Sequence, residues 1–342
     1  MDSPKVLKDN KRKIKVDFER TSLKERLKAK YLTVNFLVDV VWKVFRLLLL
    51  IGISYIIIFP FISKIFGSFM SKEDLVDATV RLIPKYPTID TYKYIIRENG
   101  YFEAFFNTFI LSTLCAFVQT IICSIIGYGL AKFKFRGNKL VFMAVILTMI
   151  IPHDTIKLSM YMNFKYFDIY GIYGGLSSLL GLESSSIDLI NSYWPMVILS
   201  IGCIAFKNGL YIFMMRQFFK GVPDELEEAA YIDGENTFGT FVKIILPISI
   251  PMMITIFLFA FSWQWTDNFY TDLFFTQSGA VLMPRIVKVP PSLAAEDFTA
   301  KDLYNSCITN TCGLLIILPL MLFYSYMQRY LIQGIERSGI VG

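Results

Sequence analysis

The side chains that could take part in chemistry fall into two groups. Polar and charged residues interrupt apolar segments at His153 and Asp154, and again at Lys207 and Asn208. An acidic loop, residues 221–246, forms the second group. The chain contains a single histidine, which nearly excludes a histidine-rich metal site or a histidine-based catalytic triad. It also lacks a glycine-rich phosphate loop of the GxxxxGK[ST] kind, so we expect this chain not to hydrolyse nucleotide itself.

The composition is typical of a membrane protein. Hydrophobic residues make up 54% of the 342 residues and charged residues only 18%, whereas soluble domains carry about 25% charged residues. The five cysteines show no metal or redox spacing and are expected to be small residues that face lipid or protein. The chain is therefore expected to be all-α and to cross a membrane several times.

Six apolar segments are found along the chain. A helix needs about 20 mostly apolar residues to cross about 30 Å of hydrocarbon, and we predict one transmembrane helix for each segment. The predicted spans are residues 47–65, 105–131, 140–162, 193–215, 246–265 and 311–327. The predicted fold is thus a polytopic all-α membrane protein with six transmembrane helices and a cytoplasmic loop between helices 4 and 5. Residues 1–46 are predicted to be a basic arm, and 47–342 the transmembrane domain.

Basic residues in short loops predict which helix ends face the cytoplasm. The loop between the second and third segments contains Lys132, Lys134, Arg136 and Lys139 and no acid. That loop, the basic arm and both termini are therefore predicted to be cytoplasmic. The arm is expected to lie solvated beside an anionic leaflet. Because no folded domain accompanies it, we do not expect it to bind nucleic acid.

Charged residues inside a span are costly and normally face the interior of a helix bundle or a water-filled path. Lys207 lies about 14 Å from Arg216 at 1.5 Å per residue, which places it near the middle of the membrane. One interpretation is a polar lining of a translocation path, with Asp154 as a partner for Lys207. The alternatives are a structural ion pair for Lys207 and an outer-interface position for His153 and Asp154.

The acidic loop 221–246 is predicted to fold into two short helices. Asp224 and Glu227 have the spacing of a capping box at a helix start, and Gly234 can end that helix in a left-handed turn. The small residues Ala229 and Ala230 would allow close approach by another protein. The alternative is a helix that lies on the membrane surface. One apolar face of the second helix is formed by Phe238, Phe241, Val242 and Ile245.

The spacing of residues in this loop resembles that of a known family. Glu228-Ala229-Ala230, then Gly234, then Ile244-x-Leu246-Pro247 resembles the signature of permease subunits of bacterial ABC importers. Two other stretches are similar to the maltose-type second permease of the carbohydrate importers. They are Asn208–Phe219 and Trp263-Gln264-Trp265-Thr266-Asp267, although Thr266 stands where that branch usually has an asparagine. The resemblance covers about residues 105–342.

This resemblance implies a transporter complex in the bacterial cytoplasmic membrane. The implied partners are a second, homologous permease subunit that completes a heterodimeric pore, two ATPase subunits and an extracytoplasmic substrate-binding lipoprotein. ATP and Mg²⁺ would be bound by the ATPase subunits, so no cofactor is expected in this chain. The implied solute is a sugar, most simply an oligosaccharide. A peptide or a polyol is the alternative within the same class.

The resemblance also implies roles for individual residues. Those expected to contact or couple to the ATPase are Glu225, Glu228, Ala229, Ala230, Asp233, Gly234 and Pro247. Separately from the resemblance, the residues that interrupt the apolar segments and two tryptophans of the fifth segment are expected to line the translocation path: His153, Asp154, Lys207, Asn208, Trp263 and Trp265. An autonomous channel or carrier would move solute without nucleotide. A membrane-embedded enzyme would need a catalytic constellation, and the sequence contains none.

Overall fold

The protein is described by a computed structural model that covers residues 34–169, 171–180, 186–205, 207–276, 280–294 and 298–339. This part of the chain is mostly helical, and its only β contact is an isolated bridge between Phe167 and Ile187. The α-helices are α1 (Val34–Gly67), α2 (Lys72–Val76), α3 (Asp90–Glu98), α4 (Tyr101–Lys132), α5 (Asn138–Ile150), α6 (Lys157–Lys165), α7 (Ile172–Leu179), α8 (Trp194–Ile201), α9 (Asn208–Lys220), α10 (Glu225–Ile232), α11 (Thr237–Thr240), α12 (Leu246–Trp265), α13 (Phe269–Phe274) and α14 (Lys301–Gly339). Short 3₁₀ turns occupy His153–Ile156, Met283–Ile286 and Pro291–Leu293, and a π-helical turn occupies Phe241–Ile245.

The chain divides into two compact units, residues 1–63 and 64–342. The described part of the first unit is helical, and its apolar side chains are largely exposed, as expected for a helix that faces lipid. α1 begins at Val34, inside the predicted basic arm, so this helix is longer than the predicted span 47–65. The first 33 residues of the predicted arm lie outside the described residues.

The core of the second unit is built around α4, which packs against α12, α9 and α8. α14 packs on α12, and α5 packs on α9. Trp265 at the end of α12 lies in this core, with ring centroids 5.5 Å from Phe105 and 5.6 Å from Phe261. Its indole Nε1 donates a 3.0 Å hydrogen bond to the carbonyl oxygen of Ile316. The structure thus places Trp265, expected in the path lining, in the packed interior of the chain.

Four helices in the described residues are long and apolar enough to cross a membrane, or five if one bent pair counts as a single span. The four are Val38–Gly67, Tyr101–Lys132, Thr237–Trp265 and Lys301–Tyr330. The bent pair is Asn138–Ile150 with His153–Lys165, at an angle of 93°. The predicted fourth span, 193–215, is divided between α8 and α9, which are 8 and 13 residues long. The all-α membrane architecture is therefore confirmed, but two of the six predicted helices are not continuous.

The bend in the third segment has a local cause. Pro152 has no backbone N–H, and its ring disfavours helical geometry at the residue before it. Ile151 accordingly has φ −67° and ψ 119°, which is extended rather than helical. The helix ends there, and the chain restarts in the 3₁₀ turn that contains His153.

The break in the fourth segment comes from two residues in left-handed geometry. Cys203 has φ 56° and Lys207 has φ 67°, values that an L-residue in a continuous helix does not adopt. The carbonyl oxygen of Leu199 accepts the N–H groups of both Ile204 and Ala205 at 3.0 Å. These hydrogen bonds satisfy backbone N–H groups that the break removes from the regular α-helical hydrogen-bond pattern.

Glycines allow two pairs of helices to approach closely. A Cβ added to Gly127 on α4 would lie 2.6 Å from Cβ of Met215 on α9. A Cβ added to Gly209 on α9 would lie 2.6 Å from Oγ1 of Thr148 on α5. Neither distance is tolerated by real side chains. The absence of a side chain at Gly127 and at Gly209 therefore allows α9 to pack closely against α4 and α5.

We expect Gly127→Ala to lower the stability of the purified protein by about 1 to 3 kcal/mol, because the new methyl group overpacks the α4–α9 contact. Gly129 is the matched control. It lies on the same helix, and a Cβ there meets no atom within 4 Å. Gly129→Ala should be neutral or slightly stabilising, since alanine favours a helix over glycine. Thermal unfolding in detergent measures both, and equal melting temperatures for the two variants would contradict the close contact.

Candidate functional site

The breaks in the third and fourth segments enclose a cleft of about 290 Å³. His153 lines it from the 3₁₀ turn, and Lys207 and Cys203 line it from the break between α8 and α9. The Lys207 ammonium lies 4.8 Å from the ring centroid of Trp263 on α12, a cation–π contact. Three of the predicted lining residues, His153, Lys207 and Trp263, therefore lie in one region, at the two helix breaks and the end of α12.

A second cleft, of about 190 Å³, is lined by Trp263, whose ring contacts Lys207 of the first cleft. Its wall combines aromatic rings with side chains that carry hydrogen-bond donors and acceptors. They are Gln119, Trp263, Gln264, Asp267, Asn268, Phe269 and Tyr270. Amides and carboxylates offer hydrogen bonds to hydroxyl groups, and aromatic rings offer flat apolar faces. This cleft therefore has the chemistry to hold a polar, hydroxyl-rich solute. Of the residues in its wall, only Trp263 was predicted to line the path.

Asp267 lies at the end of α12 and fixes the loop that follows. Its carboxylate accepts hydrogen bonds from the backbone N–H of Tyr270 and of Thr271, at 3.1 and 3.3 Å. Burial raises the pKa of Asp267 to about 6, although these two N–H groups act in the opposite direction. The protonation of one wall residue of the second cleft therefore changes in mildly acidic conditions.

The other predicted lining residues have different surroundings. Asp154 is exposed next to His153, and its pairing with Lys207 stays a prediction. Asn208 is completely buried at the start of α9, where its Nδ2 donates to the carbonyl oxygen of Ser200 at 3.4 Å. Ser200 Oγ in turn accepts a 3.0 Å hydrogen bond from Nε2 of Gln119. Asn208 thus joins the two halves of the broken segment rather than facing either cleft.

The acidic loop contains a short helix with a well-formed end. Gly234 has φ +87°, the left-handed geometry that was predicted for it. The N–H of Glu235 donates to the carbonyl oxygen of Ala230 at 2.9 Å, and that of Gly234 to the carbonyl oxygen of Tyr231 at 3.1 Å. These two bonds form the Schellman arrangement, which satisfies the last carbonyls of α10.

The start of α10 is held by a lysine and not by the predicted capping box. Asp224 has φ −70° and ψ −23°, and its side chain makes no cap hydrogen bond, so the capping-box prediction is wrong. Instead, Nζ of Lys132, at the end of α4, lies 2.5 Å from Oδ1 of Asp224 and 3.7 Å from Oε1 of Glu227. It also donates to the carbonyl oxygen of Val222 at 2.6 Å. We call this group the Lys132 clamp.

The Lys132 clamp is largely shielded from water on the lysine side. The Lys132 side chain is 7% exposed, whereas that of Asp224 is 80% exposed. Burial raises the pKa of Glu227, and the nearby Lys132 charge opposes that rise. Sequence reasoning treated Lys132 only as a cytoplasmic marker. Its position at the end of an apolar segment, next to an acidic loop, was the available signal for this contact.

The outer face of the loop is open. Ala230 is 2% exposed and packs within the chain, so the expectation that both alanines face a partner is wrong for this residue. The exposed predicted residues are Glu225, Glu228, Ala229, Asp233, Gly234 and Pro247. Ile232 and Phe238 extend this surface with apolar side chains that are 85% and 75% exposed. Ile232 was not among the residues predicted to contact a partner.

The second helix of the loop continues directly into the membrane segment. Phe241 and Ile245 are buried, whereas Phe238 and Val242 are exposed, so the predicted apolar face is only half correct. The N–H of Leu246 bonds to the carbonyl oxygen of Phe241, five residues earlier, which defines the π-helical turn. Through this turn, α11 and α12 form one helical stretch from Thr237 to Trp265.

Most of the chain is similar in sequence to bacterial transport proteins. A family model described as "Binding-protein-dependent transport system inner membrane component" matches residues 88–337. Protein LplC of Bacillus subtilis is 25% identical over 309 residues, which is 88% of this chain and 95% of LplC. The arabinooligosaccharides transport system permease protein AraQ of Halalkalibacterium halodurans is 26% identical over 293 residues, 85% of this chain and 93% of AraQ. The probable starch degradation products transport system permease protein AmyC of Thermoanaerobacterium thermosulfurigenes is 27% identical over 291 residues, 85% of this chain and 94% of AmyC.

The fold is similar to that of a solved transporter chain. A chain in the crystal structure of a bacterial ABC transporter involved in the import of the acidic polysaccharide alginate superposes with a TM-score of 0.63. The two chains are 18% identical, and the match covers 86% of this chain and 97% of the other. A second structure, of the alginate transporter in complex with an alginate pentasaccharide-bound periplasmic protein, matches with a TM-score of 0.59 at 14% identity and covers 89% and 95% of the two chains.

We expect Lys132→Met to lower stability by about 2 kcal/mol and to speed amide hydrogen exchange across α10, because the buried Glu227 would lose its charged partner. Adding Glu227→Gln should recover part of the loss, since the unpaired carboxylate is then gone. Lys243→Met is the control, because it breaks the exposed Lys243–Glu235 pair and exposed pairs contribute little. If both lysine variants changed exchange in α10 equally, the clamp would have no special role.

Asp267 should make stability depend on pH between about 4 and 6. Its folded pKa lies above that of an unfolded aspartate, so the folded chain holds the proton more tightly and stability falls as pH rises through this range. The change should be about 3 kcal/mol. Asp267→Asn removes the titration while keeping an acceptor for the backbone N–H groups. Melting temperatures from pH 4 to 7, taken as wild type minus variant, measure this, and parallel curves would contradict it.

Proposed function

Because the chain belongs to the family of binding-protein-dependent transport system inner membrane components, as the loop signature predicted, we propose that it is the permease of an ATP-driven oligosaccharide importer. The sugar assignment is supported by relatives named for arabinooligosaccharides and for starch degradation products. It is also supported by the second cleft, whose amide, carboxylate and aromatic groups suit a hydroxyl-rich solute. A peptide or a polyol is the alternative solute.

The observation that carries the proposal is the acidic loop, which is fixed on one face and open on the other. The Lys132 clamp and the buried Ala230 hold α10 to the chain. The opposite face presents Glu228 and Ala229, flanked by the exposed Ile232. A short helix with an apolar centre and charged edges suits a groove in another protein. The partner proposed for that groove is an ATPase subunit.

The proposed assembly contains more chains than this one. A second permease would complete a heterodimeric pore, two ATPase subunits would bind ATP and Mg²⁺, and a substrate-binding lipoprotein would deliver the sugar. We propose six crossings, with the third formed by the bent pair that includes α5 and α6 and the fourth by α8 and α9. Both termini and the acidic loop would then lie in the cytoplasm, as the basic loop after α4 predicts.

Two routes would carry a movement of α10 into the membrane. The first is the Lys132 clamp, which ties α10 to the end of α4. The second is the π-helical turn, through which α11 continues into α12 as one helical stretch. α12 carries Trp263 of the second cleft, and the Trp263 ring contacts Lys207 of the first cleft. Rigid-body displacement of α10 by an ATPase would therefore reshape the proposed path, which is alternating access.

Uptake by the assembled transporter tests the function and the solute class together. The complete complex in proteoliposomes should accumulate labelled oligosaccharide only with ATP and the binding protein, and should not accumulate a peptide or polyol of similar size. Uptake without nucleotide would indicate a channel or carrier and would overturn the proposal. Accumulation of the peptide or polyol alone would leave the permease assignment in place and overturn the sugar assignment.

A charge on the open face of the loop should weaken binding of the ATPase. Ile232→Asp places a carboxylate where an apolar groove is proposed, so the ATPase should co-purify less and uptake should fall at least tenfold, which corresponds to about 1.4 kcal/mol of lost contact. Ile83→Asp is the control, since Ile83 is 68% exposed elsewhere on the chain. Wild-type uptake by the Ile232 variant would count against α10 as the contact helix.

A further inference from the structure

A strongly basic groove lies at the ends of three helices. The end of α4, the start of α5 and the end of α9 enclose an open space of about 610 Å³. Five cationic side chains line it, and none of its described lining residues is acidic. The five are Lys134, Arg136, Lys139, Arg216 and Lys220. Like charges brought together around one concavity repel one another unless an anion lies between them. The groove is therefore electrostatically suited to an anionic ligand.

The start of α5 adds a second source of positive potential. The first N–H groups of a helix have no partner within the helix, and the helix dipole is positive there. Gly137 is the N-cap residue, with φ +93°, and it offers no side-chain acceptor to these N–H groups. Gly137, Asn138 and Lys139 all line the groove. A helix start combined with several cations is an arrangement that binds phosphate.

One cation of the groove is held in a fixed position. The Arg216 guanidinium carbon lies 3.7 Å from the ring centroid of Phe142, and its Nε lies 3.4 Å from the carbonyl oxygen of Leu130. The ring and the carbonyl orient the planar guanidinium before any ligand arrives. Arginine held in this way binds phosphate oxygens with little loss of side-chain freedom.

The surroundings of the groove favour a lipid over a free anion. α4 is a candidate membrane span that ends at Lys132, so the groove lies at the end of a membrane-crossing helix. Apolar side chains beside it are exposed: Phe135 by 47%, Leu140 by 66% and Met143 by 62%. A free phosphate would leave these side chains uncovered. A phospholipid can place its phosphate among the cations and its acyl chains along α5.

We propose that this groove binds the phosphate headgroup of an anionic phospholipid. The scattered basic residues of a cytoplasmic loop require no concave arrangement, whereas here five cations, a helix start and an apolar flank meet in one place. Basic pockets between membrane helices bind anionic headgroups for the same physical reason. The bound lipid would link α4, α5 and α9 at their shared end.

Lipid binding to the full chain in its purified complex tests this site. Delipidated complex is titrated with phosphatidylglycerol or with phosphatidylcholine, and bound lipid is counted by native mass spectrometry alongside the melting temperature. Wild type should prefer phosphatidylglycerol. Lys134→Gln with Arg136→Gln and Lys139→Gln should weaken that binding on the order of a hundredfold, since each charge near an anionic surface counts for about fivefold. The single Lys139→Gln variant should weaken it about fivefold, and it remains informative if the triple variant folds poorly.

The matched control removes three charges from other exposed sites, as Arg97→Gln, Lys288→Gln and Lys301→Gln. It should bind phosphatidylglycerol like wild type. The proposal is overturned if the groove variants keep wild-type phosphatidylglycerol binding, or if phosphatidylcholine binds equally well. It is also overturned if inorganic phosphate at the same concentration raises the melting temperature as much, which would indicate a site for free anions. Loss of ATPase co-purification with unchanged lipid binding would instead make the groove a protein contact.

Discussion

Backbone N–H and C=O groups at membrane depth need partners within the protein, because hydrocarbon offers none. The third and fourth segments both leave helical geometry, so their freed backbone groups must be satisfied locally or by neighbouring helices. Leu199 accepts two N–H groups across the break that follows α8, and the buried Asn208 side chain donates to Ser200. The fourth segment packs on α4 and on α5 of the third segment, which brings neighbouring helices up to the breaks. The first cleft lies where the two helices are interrupted.

The same requirement explains why the polar residues of the membrane region divide into two kinds. Asn208, Ser200 and Gln119 bond to one another and to backbone, and they stabilise the break. Lys207 and Trp263 meet at the edge of the clefts, where an ammonium group contacts an aromatic face. The first kind stabilises the break, and the second places a cation and an aromatic ring at the clefts. Gln119 both stabilises the break and lines the second cleft.

Residue types and their spacing predicted much of the architecture, but they predicted the details of the acidic loop less well. Apolar segments, the left-handed Gly234 and the family signature depend on residue type and spacing, which a sequence displays directly. The interruptions were harder to place. Pro152 marks one of them, but the left-handed Lys207 has no glycine or proline beside it as a signal. The Lys132 clamp displaced a capping box that had correct spacing, because a tertiary ion pair outweighed a local bond. Ala230 is likewise buried by tertiary packing, which the periodicity of the sequence does not show.

The π-helical turn has a mechanical consequence for the membrane segment that follows it. The helical stretch from Thr237 to Trp265 contains 29 residues, so it is about 44 Å long at 1.5 Å per residue. This length joins the acidic loop at one end to Trp263 near the other. Treated as a rigid rod, a tilt of about 10° displaces the tip by about 8 Å, more than the height of one helical turn. A small tilt of this helix about its loop end would therefore move Trp263 by more than one helical turn.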